Sequence, residues 1–174
     1  MLWVKTFFGI LFQTILLGIF LYLPALTLNW SDAFLLLTIH FLMTILASAY
    51  LLIVKPESIE ARMNYDSKTQ PKEDRLATAL MFSAIFVGLS LAPIDIFHLN
   101  LSSSFEGSIK NIGLAIYIIG MLLFMASLNA NEFAETTVNI QEERGQKVID
   151  TGIYSMVRHP MYTGFIFFIT GVNV

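Results

Sequence analysis

The sequence predicts an all-α integral membrane protein with four full transmembrane helices and a fifth, incomplete one. Three observations carry that prediction. Hydrophobic residues make up 56% of the 174-residue chain and charged residues 13%, giving a mean hydropathy of +0.70. The apolar residues fall in runs of about 20, the length needed to cross ~30 Å of hydrocarbon at 1.5 Å per residue. The charges collect in short stretches between those runs. A net charge of −3 gives no reason to expect a nucleic-acid partner. The chain has no cysteine, which excludes a disulfide, a thiolate nucleophile and Cys-ligated metal.

Hydropathy places the spans at residues 7–28, 33–54, 76–97 and 112–128, with the fifth at 160–174. Each must be a helix, because a lone strand cannot satisfy its backbone in lipid. The first apolar run is longer than a signal-peptide core and lacks a small-residue cleavage site, so it reads as a retained span. Asn29-Trp30-Ser31-Asp32 makes a tight turn to the second span. Ser31 or Asp32 is the expected cap of the second helix, and Trp30 suits the membrane interface. Pro56 is placed to start a short interfacial helix. His40 lies mid-span and should face other helices rather than lipid. His98 reads as interfacial, and Pro93 and Asp95 mark where the third span should fray. Gly113 and Gly120 stand seven apart, as do Gly164 and Gly171. That spacing puts each pair on one helix face, where close helix packing and ordinary membrane-helix glycine are equal readings.

Charge sets the expected orientation. Lys5, Lys55, Arg62, Lys68, Lys72, Arg75, Arg144, Lys147 and Arg158 fall on one side of the four-span arrangement, and Lys110 alone on the other. By the positive-inside rule the N-terminus and both polar segments, 55–75 and 129–159, should be cytoplasmic.

The candidate site lies in GQKVIDTGIYSMVRHPMYTG, Gly145 to Gly164. Pro160 lacks an N–H and has a fixed φ, which suits the first turn of a helix. The next N–H groups have no partner within the helix and point to the interface beside Arg158 and His159. Such an end seats a carboxylate or phosphate. Tyr154 and Tyr162 offer faces for a cation. A zwitterion suits this seat, and both S-adenosylmethionine and a phospholipid headgroup are zwitterions. Plain interfacial anchoring by Arg and Tyr is the competing reading. No His, Asp or Glu spacing suggests a metal site.

The string VIDTGIYSMVRHPMYTG resembles the signature of the integral-membrane methyltransferases, the isoprenylcysteine carboxyl methyltransferase and phospholipid methyltransferase group. Pro56-Glu57 with Arg62, Asp74-Arg75 and Asn131-Glu132-Phe133 resemble the isoprenylcysteine branch. Membrane sterol reductases carry a similar Arg-His-Pro segment. The resemblance implies an S-adenosylmethionine site made by Gln146, Lys147, Val148, Ile149, Tyr154, His159, Pro160, Met161 and Tyr162, with Gln141 a looser upstream match. Many members have His where this chain has Gln146. Arg158 and His159 are the best candidates for a catalytic role. Members continue through a helical hairpin to a tail with an acidic pair and an arginine, whereas this sequence stops at Val174 in an apolar run. The expectation is therefore a chain truncated before its catalytic end. The expected activity is carboxyl O-methylation of a prenylated cysteine or similar lipophilic acceptor reached from the bilayer. Amine methylation of a phospholipid headgroup, or a non-catalytic protein that keeps a ligand pocket, are the alternatives.

Overall fold

The computed structural model describes residues 1–63, 72–101, 107–133 and 147–173. They form six α-helices: α1 Leu2–Ala25, α2 Ser31–Val54, α3 Pro56–Met63, α4 Lys72–Ile94, α5 Ser108–Ala130 and α6 Pro160–Val172. Four stretches are long and apolar enough to cross a membrane: α1, α2, Arg75–Leu99 and α5. The chain is a multi-pass membrane protein by this architecture. Its apolar side chains cover the outside of the bundle, Phe8, Phe12, Phe34 and Leu46 among them. A lipid surround accounts for an apolar exterior that water would penalise.

The first helix runs from Leu2 to Ala25, where hydropathy places the span at 7–28. Leu26 takes a left-handed conformation, φ 54°, and closes the helix with its N–H on Tyr22 O. Pro24 in the last turn leaves Phe20 O without its usual partner. The Ser90 hydroxyl of α4 donates to that carbonyl at 3.4 Å, so a neighbouring helix repairs the break. Neither Ser31 nor Asp32 caps α2; Trp30 occupies the cap position without a side-chain bond. Asp32 instead pairs with Lys110 at 2.7 Å, because the start of α5 comes to the same end of the bundle. Trp30 stacks edge-on with Tyr22 and Phe97 there, at centroid distances of 6.3 and 5.2 Å.

The α4 helix does not fray at Pro93. It widens into a π-helical turn, Asp95–Leu99, closed by Asn100 at φ 50°. Asp95 holds the exit, its carbonyl accepting Asn100 N–H and its carboxylate accepting Leu101 N–H, both at 2.8 Å. His98 donates from Nε2 to Pro24 O at 2.6 Å, since a carbonyl can only accept. Asn173, just past α6, accepts Ala92 N–H at 3.1 Å next to Pro93.

The last two described helices pack with their backbones in contact. α6 lies antiparallel on α5, with Gly164 against Gly120 and Phe124, and Gly171 against Gly113 and Tyr117. The two heptad-spaced glycine pairs thus form one seam. A Cβ on Gly120 would lie 2.6 Å from Phe168 N and 2.8 Å from Gly164 O, so only glycine permits this approach. Beside the seam His40 Nδ1 meets Tyr117 OH at 2.7 Å. Phe168 covers the pair, with its ring centroid 5.1 Å from that of Tyr117. His40 therefore faces helices, as its cost in lipid requires. Tyr117→Phe should lower stability by about 0.6–1.7 kcal/mol, the range for one such bond in membrane bundles. Unfolding in mixed micelles would measure it, and an unchanged midpoint would show that the pair adds nothing.

Candidate functional site at the entrance of the last helix

The antiparallel seam brings Pro160 to the C-terminal end of α5. Three separate stretches meet around that end. The first is α3, which turns back immediately after α2. Lys55 Nζ donates to Asn129 O, and Arg62 Nη2 donates to Leu128 O at 3.2 Å and Asn131 O at 3.3 Å. The last carbonyls of a helix have no intrahelical partner and carry its negative end. Two cations from another segment fill that role here. Ile59 packs with Leu51 and Leu52 and fixes α3 against the bundle, with Leu2 and Leu128 alongside.

The second stretch is Asn131 itself, which uses all four of its polar groups. Its N–H bonds Ser127 O at 2.9 Å and its carbonyl accepts Arg62. Its Oδ1 accepts Phe133 N–H at 3.0 Å, which orients the amide so that Nδ2 donates to Tyr154 OH at 3.5 Å.

The third is the approach to α6. Lys147 and Val148 are exposed and Ile149 is half-buried, outside any helix or strand. Gly152, at φ +60°, opens a 3₁₀ turn, Gly152–Ser155, that lies against Ala130. A side chain would strain this left-handed residue. The turn is closed by Tyr154 N–H on Thr151 O at 3.2 Å and by the Ser155 hydroxyl on Gly152 O at 2.7 Å. Pro160 is fully buried at the first position of α6 and His159 is its N-cap. Thr163 N–H makes the first helical bond, to His159 O at 3.1 Å. The His159 and Tyr162 rings stack at 5.6 Å and 27°. Tyr162 is 57% exposed, Met161 is half-buried, and Arg158 is exposed.

The structure thus gathers Arg62, Asn131 and Tyr154 by contact, and His159, Pro160 and Tyr162 at one helix entrance. Among the described residues no hydrogen bond or ion pair joins Lys147, Val148 or Ile149 to either group. Gln146 and Gln141 lie outside the described residues. Sequence reasoning missed Lys55 as a partner of the α5 terminus; its one signal was a cation directly before a helix-starting proline. Among the described residues no group of three His, Asp or Glu is placed to hold a metal ion.

Residues 109–174 match the sequence profile of the phospholipid methyltransferase family. The matched stretch is α5, the 3₁₀ turn and α6, the same elements whose glycine seam and shared end build the site. The chain is 33% identical over 67 residues to protein-S-isoprenylcysteine O-methyltransferase B of Arabidopsis thaliana. That match takes in 38% of this chain and 34% of the relative, so the chain spans about a third of the relative's length. No solved structure matches the chain significantly.

Proposed function

We propose that the chain belongs to an S-adenosylmethionine-dependent methyltransferase that transfers to a carboxylate on a prenylated cysteine or similar lipophilic acceptor. The observation that carries this reading is the meeting of α3, Asn131 and the Tyr154 turn at the end of α5 where Pro160 starts α6. The first two lie in stretches where the sequence resembles the isoprenylcysteine branch, and the third lies in the signature shared by the whole methyltransferase group. The name of the Arabidopsis relative points the same way.

The residues present fit the cofactor's chemistry. Thr163 N–H takes His159 O, and among the described residues Met161 N–H and Tyr162 N–H, at the positive end of α6 beside exposed Arg158, have no acceptor. That end would hold a carboxylate. The stacked His159–Tyr162 pair and Tyr154 give aromatic faces for the cationic centre. When bound, S-adenosylmethionine supplies a methyl group already activated by a sulfonium. The chain's task is then to align the partners and exclude water. A carboxylate acceptor is ionised at neutral pH and calls for no general base. An amine acceptor would have to be neutral to react. Arg158 and His159 serve binding and charge balance in this reading. With nine cations against one on the site's side of the bundle, the site faces the cytoplasm.

Amine methylation of a phospholipid headgroup is the second reading, because the matched profile is the phospholipid methyltransferase family. Calorimetric titration of the purified chain with S-adenosylmethionine tests the cofactor. Binding is expected, with Tyr162→Ala at least about tenfold weaker through loss of the stacked face. Absence of heat from the unaltered chain would overturn the cofactor reading. A radiolabelled methyl assay with a prenyl-cysteine analogue and phosphatidylethanolamine then separates the two acceptors.

A further inference from the structure

Tyr154 is expected from the resemblance to touch the cofactor, but the residues that orient it lie elsewhere. Phe133 N–H holds Asn131 Oδ1 at 3.0 Å, so the Asn131 amide can only offer its NH₂ to Tyr154. The phenol oxygen therefore accepts, and its own proton is directed away from Asn131. Among the described residues no acceptor takes that proton. Arg62, the penultimate residue of α3, grips Leu128 O and Asn131 O and fixes the peptide that carries the amide. The 3.5 Å contact is long, as ligand-site hydrogen bonds are before the ligand tightens them.

We propose that Arg62 and Asn131 are positioning residues that present the Tyr154 hydroxyl as a hydrogen-bond donor to the bound methyl donor. This rests on the cofactor reading above. It adds that α3, a segment outside the matched family region, sets the polarity of a cofactor contact.

The test exploits the direction of the bond. Asn131→Asp keeps the size of the side chain and the acceptor for Phe133 N–H. It replaces the NH₂ with an oxygen, so the Tyr154 proton turns inward and is lost to the ligand. Tyr154→Phe removes the same donor with little change in packing. Each variant should weaken S-adenosylmethionine binding about tenfold, and the double variant should be no weaker than either alone. Arg62→Lys should retain part of the affinity that Arg62→Met loses. Without added ligand, Raman difference spectra should show one tyrosine passing from hydrogen-bond acceptor to donor in Asn131→Asp, and no such change in the Tyr154→Phe background. Two independent losses that multiply, or wild-type affinity in Tyr154→Phe, would overturn the proposal. If the unaltered chain binds no S-adenosylmethionine, the cofactor reading fails, and the Raman difference alone decides whether Asn131 orients Tyr154.

Discussion

Gly120→Ala is expected to unseat α6 and abolish the proposed S-adenosylmethionine binding, although it adds a single methyl group. The new Cβ would sit 2.6 Å from Phe168 N and 2.8 Å from Gly164 O. Both are backbone atoms of α6, so no side-chain rotation relieves the clash and the helices must separate. Overpacking in a core costs about 1–3 kcal/mol, and a rigid backbone puts this case at the upper end. Separation would also pull Phe168 from Tyr117 and move Pro160 away from the α5 terminus, which dismantles the candidate site. Gly88→Ala is the matched control, since its Cβ would meet only Ile169 Cγ2 at 3.5 Å, an ordinary contact. Thermal unfolding in detergent, paired with S-adenosylmethionine titration, measures both effects. A Gly120→Ala protein with the stability and affinity of Gly88→Ala would show that the seam does not hold the site together.

This seam also shows how far the sequence could be read. Hydropathy sufficed for the four spans because length and apolarity are what lipid demands of a helix. The seven-residue spacing put Gly113 with Gly120 and Gly164 with Gly171 on common faces. Spacing within one helix says nothing of the partner helix, so their meeting was not legible. His40 is the same case: its mid-span position demanded a partner, but Tyr117 stands 77 residues away. Local signals failed at the α2 start, where Asp32 was drawn to Lys110 instead of capping its own helix. They failed again at Pro93, where the turn widened instead of fraying. At the site, Pro160 as a helix start and the His159 and Tyr162 positions were legible from local chemistry. The service of Lys55 and Arg62 to the end of α5 was not, because neither a topology signal nor a motif match names the carbonyls a cation will meet.

Arg62→Met should release the last turn of α5 and with it the Tyr154 segment. Two carbonyls, Leu128 O and Asn131 O, lose their guanidinium donor at once. A partly buried carbonyl left without a donor costs about 1–3 kcal/mol, and the negative end of α5 loses a facing cation. Lys55 still holds Asn129 O, so the helix should loosen at its terminus rather than unfold. The loosening should be local: amide hydrogen exchange should accelerate at Ser127–Asn131 and across Gly152–Ser155, which lies against Ala130. The α1–α2 turn, tied at the opposite end by Tyr22 OH on Trp30 O at 3.1 Å, should exchange as before. Adding Lys55→Met should extend the fast exchange further into α5, because Asn129 O then loses its donor as well. If exchange in Arg62→Met were unchanged at both places, α3 would be a bystander packed on the bundle, and the coupling between it and the Tyr154 segment would have no physical basis.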